Sequence, residues 1–134
     1  MYDIKYDIVF NVMPGDTGGM KRLFIETNIF KQLLDQENDK TLELRIKSDL
    51  LENPERGEVI KGSGGLRKFR VSDKSRGKGK RGGHRVIYLD LSQYEKTYLL
   101  FLYSKGDLEN LTSDHLKALK KVVRGITEGV KCER

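Results

Sequence analysis

Lys68, Arg70, Arg85 and Lys105 lie on or just beyond three stretches that read as strands: LRKFRVSD, HRVIYLDL and KTYLLFLY. Cations at such positions are what phosphodiester chemistry requires. On a pleated strand Phe69 and Val71 fall on one face, and Lys68 and Arg70 on the other. If the apolar pair packs on helices, Lys68 and Arg70 share the open face, where Arg85 and Lys105 are available to join them. Four converging cations would hold a phosphodiester and stabilise the added charge of a phosphorane transition state. The bland alternative is a sheet face carrying solubilising charge.

The connection between the first two of these strands is basic and glycine-rich. Residues 76–85 hold five cations (Arg76, Lys78, Lys80, Arg81, Arg85) and four glycines (Gly77, Gly79, Gly82, Gly83). Like charges so close repel, and each glycine costs backbone entropy on ordering, so an anionic partner or a solvated loop is expected. Residues 67–85 carry nine Lys or Arg against one acid, Asp73, a net of +8 in a chain whose total is +6. The basicity therefore reads as one patch. Arg67, Lys74, Arg76, Lys78, Lys80 and Arg81 are candidate contacts to a phosphate-bearing polyanion, which the resemblance given below makes an RNA backbone. The string GKGKRG (77–82) has the form G-x-G-x-x-G, but a strand follows it where a dinucleotide site needs a helix, and Asp90 lies too near to serve as the ribose acid.

Histidines are scarce. His84 opens a strand beside Arg85 and reads either as a general acid or base or as an ordinary strand-edge residue. His115 falls in the first turn of the last helix, a surface position. Tyr88 and Tyr103 could stack on a base or donate a proton, or be half-buried sheet aromatics. No acid pair or His/Asp/Glu cluster has metal-ligand spacing, so no metal and no cofactor are expected.

The elements that must position these residues follow from periodicity. The chain has 134 residues, 34% charged and 37% hydrophobic, and fits one domain with a modest core. A single cysteine, Cys132, excludes a disulfide framework and suits a reducing cytoplasm. No apolar run approaches the roughly 18–20 residues of a membrane-spanning helix. Residues 1–19 fit the remainder poorly: Tyr2, Ile4, Tyr6 and Ile8 alternate like a strand, then Pro14-Gly15 and Gly18-Gly19 interrupt. They are expected to be a leader or flexible arm, with the domain running over 20–134. There KRLFIET reads as a strand, Asn28 as the cap of a helix through Ile29, Phe30, Leu33 and Leu34, and 39–53 as a second helix with Asp39 as cap and Pro54 as stop. GEVIKGSGG reads as a loop. KTYLLFLY is apolar on both faces and belongs inside the sheet. A last helix, capped by Thr112 or Ser113, carries the stripe Leu116, Leu119, Val122, Val123, Ile126 and Val130. The fold class is α+β, in the order β-α-α-β-β-β-α: an antiparallel sheet, an N-terminal helical hairpin and a C-terminal helix, with the helices on one face.

In order along the chain, MKRLFIETNIFKQLL, NPERGEVIKGSGGLRKFRV, GKGKRGGHRVIYL and TYLLFLYSKGDLENLT resemble the RelE/HigB group of toxins from bacterial type II toxin–antitoxin pairs. The similarity spans about Met20 to Ile126 and favours Met20 as the start. It implies a cytoplasmic, metal-independent endoribonuclease that enters the ribosomal A site, cleaves mRNA during translation, and is silenced by an antitoxin protein, often with a helix-turn-helix domain. Lys68 and Arg70 match the family's paired basic positions, Arg85 the arginine opening its next strand, and Lys105 the basic residue after the last strand. Gly106 and Thr112 stand where such toxins often carry arginine and tyrosine, so either Tyr88, Tyr103 or His84 substitutes, or catalysis relies more on electrostatics than on proton transfer. A ParE-like gyrase inhibitor and a non-catalytic RNA-binding module are the alternatives on the same scaffold.

Overall fold

The computed structural model describes residues 6–11, 22–71, 83–104 and 113–132. They form β1 (Tyr6–Asn11), β2 (Arg22–Thr27), α1 (Asn28–Gln36), α2 (Leu42–Glu52), β3 (Glu58–Val59), β4 (Arg67–Arg70), β5 (His84–Leu91), β6 (Lys96–Ser104) and α3 (Ser113–Cys132). The six strands make one sheet in the order β1-β2-β6-β5-β4-β3. The α+β class, two consecutive helices after β2 and a C-terminal helix match the expectation from sequence.

The sheet is mixed, not antiparallel, because β2 runs parallel to β6. A parallel pair needs a long crossover, and here α1, α2 and β3–β5 supply it. β6 is apolar on both sides and must be central, so it takes β5 on one edge and β2 on the other. Residues 6–11, within the stretch expected to be a leader or arm, pair antiparallel with β2 from Tyr6↔Thr27 to Asn11↔Arg22. β3 lies inside the segment expected to be a loop and pairs through Glu58↔Lys68 and Val59↔Arg67.

The helices cover both faces, which corrects the one-sided expectation. On one side Phe30 of α1 and Leu42, Ile46 and Leu50 of α2 pack with Phe24, Phe69, Val86, Tyr88, Leu99 and Leu102. On the other, Leu119, Val123 and Ile126 of α3 pack with Ile25, Ile87, Leu89, Tyr98, Leu100 and Tyr103. The two-sided apolarity of β6 requires this, since an uncovered face would leave Tyr98, Leu100 and Tyr103 in water. A register shift between Ile87↔Phe101 and Tyr88↔Leu99 gives β6 one extra residue. It lets Leu100 and Phe101 pack on the same α3-side cluster, while Leu99 and Leu102 stay with α1 and α2.

Two helix starts differ from the sequence reading. Thr27, not Asn28, caps α1: its Oγ1 accepts from the Phe30 N–H at 3.0 Å and donates to the Leu100 carbonyl at 2.9 Å, which ties the helix start to β6. α2 begins at Leu42, so Asp39 stands ahead of the cap position, where its carboxylate accepts from the Thr41 N–H and hydroxyl. Those bonds hold the Asp39 carboxyl below its ordinary range, with help from Arg45 at 2.7 Å. α2 ends at Glu52, just before Pro54, as expected. Among the described residues, no helix is long and apolar enough to cross a membrane.

Candidate functional site

β4 and β5 run antiparallel with Lys68 opposite Ile87 and Arg70 opposite Arg85. Cross-strand partners share a face, and Ile87 belongs to the α3 side, so Lys68, Arg70 and Arg85 all stand there. Phe69 and Val71 are buried with α1 and α2, which is what turns Lys68 and Arg70 the other way. Arg70 is exposed, and Lys68 and Arg85 are half-buried. On the next strand Tyr103 lies opposite Arg85 and is nearly buried.

Gly83 shapes the floor between the two arginines. A side-chain carbon there would come within 3.1 Å of Arg70 Nε, so the guanidinium lies across the glycine. Arg85 Nη1 donates to the Gly83 carbonyl at 3.4 Å. β4 is closed onto β5 at this point by the Val71 N–H donating to the His84 carbonyl at 2.9 Å. Burial pushes the Tyr103 phenol above its ordinary value, and nearby Arg85 partly offsets this. Like any phenol, Tyr103 is protonated at neutral pH, and it lies opposite the Arg85 cation. Phe101 packs at a tilt on its ring, with centroids 6.2 Å apart.

The sheet separates the remaining candidates from this cluster. His84 precedes Arg85 and so faces the α1 side, where its Nε2 lies 2.7 Å from Glu37 Oε1 at the end of α1. Tyr88 points to the same side and is completely buried. Its hydroxyl donates to the Pro54 carbonyl at 2.7 Å and accepts from the Gly57 N–H at 3.1 Å, while Phe69 meets its ring edge-on at 5.5 Å. Burial raises its phenol, with the Gly57 bond opposing. Neither His84 nor Tyr88 faces the cations, which corrects their grouping with Lys68, Arg70 and Arg85. Alternation along β5 carried that information, since residues 84 and 88 share parity and 85 does not.

Arg67 is likewise turned away from the cluster. Its Nη1 donates to the carbonyls of Gly57 at 2.6 Å and Glu55 at 3.2 Å, so it braces the 53–58 segment instead of offering a free guanidinium to RNA. Lys74, Arg76, Lys78, Lys80, Arg81 and Lys105 lie outside the described residues. All but Lys105, which follows β6, belong to the stretch between Val71 and Gly83, the two residues that join it to the end of the sheet holding Arg70 and Arg85.

Sequence reasoning passed over a second set of cations. Lys117, Lys120, Lys121 and Arg124 of α3 are all exposed. Their helical spacing was legible, but the apolar stripe of the same helix drew the reading. No model of a known protein family matches this chain.

Proposed function

We propose that this protein is a RelE/HigB-like toxin whose Lys68–Arg70–Arg85 face cleaves mRNA on the translating ribosome, in the cytoplasm, under the control of an antitoxin protein. The observation that carries the reading is the cross-strand pairing of Arg70 with Arg85 on a face shared with Lys68 and Tyr103. Like charges directly opposite each other on a sheet are destabilising, and a bound phosphate offsets that repulsion.

The reaction is an internal transesterification. The RNA 2′-oxygen attacks the adjacent phosphorus, its proton departs, and the bond from phosphorus to the 5′-oxygen breaks with a proton supplied to that oxygen. The products are a 2′,3′-cyclic phosphate and a 5′-hydroxyl. Arg70 and Arg85 would stabilise the charge that builds on the phosphorane oxygens, and Lys68 would hold the neighbouring phosphate. Tyr103, opposite Arg85, carries a proton that it could deliver to the leaving oxygen, although burial makes its phenol a weaker acid than a free one. The Lys/Arg/Gly stretch would grip RNA backbone next to the reacting phosphate.

The test is cell-free translation with catalytic amounts of purified protein, with mRNA 5′ ends mapped by primer extension beside naked mRNA. Cuts confined to translated codons, and lost in Arg85→Ala, support the reading. Intact mRNA from folded protein that still binds ribosomes would point to a non-catalytic RNA-binding module. Intact mRNA without ribosome binding would point to a gyrase inhibitor.

A further inference from the structure

We infer that the outer face of α3 is a second binding surface, for the phosphate backbone of double-helical RNA. At about 100° per residue, Lys117, Lys120, Lys121 and Arg124 fall within an arc of about 100°, along roughly 10 Å of helix axis. That arc points away from Leu119, Val123 and Ile126, which hold α3 on the sheet. The four cations occupy neighbouring turns, so each meets another at i+3 or i+4, an arrangement that weakens a helix. Among the described residues none of them has an ion-pair partner. Asp114 and Glu128 sit on the same side only at the two ends of the stripe. A helix that sets four like charges side by side on its exposed face is complementary to a polyanion.

The polyanion is narrowed by what the helix lacks. Residues 113–132 contain no Phe, Tyr or Trp, and Arg124 is the one planar group in the stripe, so successive unpaired bases find little to stack on. Membrane binding needs apolar side chains beside the cations, and the described large apolar residues exposed on this protein, Leu44 and Val59, belong to α2 and β3. Backbone recognition of duplex RNA by shape and charge remains, since it requires only cations at phosphate spacing on a rigid support. α3 lies on the same side of the sheet as Lys68, Arg70 and Arg85. This deepens, and in its biological role rests on, the nuclease reading: the sheet cations take the strand that is cut, and α3 takes structured RNA beside it.

The test compares the full-length protein with the quadruple variant Lys117→Ala, Lys120→Ala, Lys121→Ala, Arg124→Ala. Alanine keeps the helix, and circular dichroism checks that it does. Binding to a labelled short blunt RNA duplex, and to one of its single strands, is followed by fluorescence anisotropy across a salt series. The expected result is duplex binding about tenfold to a hundredfold weaker near physiological salt, with a salt slope lower by about three, and a smaller change on the single strand. An unchanged duplex affinity and slope would overturn the inference, as would protein that binds phosphatidylserine vesicles but not the duplex. An Arg70→Ala, Arg85→Ala variant separates the two claims. Loss of the nuclease reading leaves the α3-dependent slope in place, whereas loss of this inference leaves cleavage at saturating protein intact.

Discussion

The two sides of the sheet treat charge in opposite ways. On the α1–α2 side, polar groups are matched within the protein. Lys47 is buried with its ammonium 2.9 Å from Glu26 and 2.5 Å from Glu43, and lies 5.8 Å above the Phe24 ring. His84 meets Glu37, Tyr88 is bonded at both donor and acceptor, and Arg67 is held by two carbonyls. Residues 28–58, which include both helices, carry eight acids and five bases. On the α3 side, Lys68 has Glu58 opposite it across β3 and β4, but Arg70 lies opposite Arg85 and α3 carries four cations on neighbouring turns. α3 carries five bases and two acids. Matched charges stabilise a fold, whereas like charges set side by side repel and leave a positive surface. On the proposed reading, the first side supports the fold and the second meets RNA.

Breaking that division on the α3 side should give the largest effect. Arg70→Ala or Arg85→Ala should each lower cleavage by about a hundredfold or more, the scale of removing one preorganised charge-stabilising group, with little change in thermal stability. Single-turnover rates measured beside melting curves check this.

On the other side, Lys47→Met should cost about 3–5 kcal/mol, because Glu26 is left buried without its partner. Adding Glu26→Gln should recover part of the loss. Urea unfolding of the two variants measures both numbers, and cleavage by the fraction that stays folded should be normal.

Tyr88→Phe should cost about 1–3 kcal/mol by orphaning the Gly57 N–H and the Pro54 carbonyl. Its folded phenol is raised above the unfolded value of about 10, so its contribution is complete below that pH and is lost as pH rises through the folded value. The wild type should therefore lose stability under alkaline conditions faster than the variant. A cleavage defect out of proportion to the lost stability would instead make Tyr88 part of the chemistry.

The smallest effect is expected at His84→Gln, which loosens the contact between α1 and β5. A half-exposed pair of this kind contributes up to about 1 kcal/mol, and the pH profile of cleavage should not move. A profile that loses one limb would place His84 in the reaction and undo the separation of faces.

Much of this was readable from residues alone. Alternation in LRKFRV put Phe69 and Val71 inward and Lys68 and Arg70 together, because a half-buried strand has only two sides to offer. The boundaries of β5 and β6 followed from apolar runs. The covering of both faces was implicit in KTYLLFLY, yet two-sided apolarity says that something lies on each face without saying which helix. The parallel β2–β6 pair was not legible, since neighbour order depends on contacts distant in sequence. His84 and Tyr88 were grouped with the arginines by chemical type, although parity along one strand placed them apart. Net charge misled as well: outside 67–85 the balance is slightly negative, and that sum hides an acidic stretch over residues 28–58 and a basic C-terminal helix that nearly cancel.

The central claim is that the Arg70–Arg85 pair acts on RNA while the α1–α2 side only supports it. Its most direct test maps mRNA 5′ ends in cell-free translation with wild type, Arg85→Ala and His84→Gln side by side. The account predicts codon-confined cuts bearing 5′-hydroxyl ends with wild type and His84→Gln, and none with Arg85→Ala. Cuts that persist in Arg85→Ala, or vanish in folded His84→Gln, would contradict it.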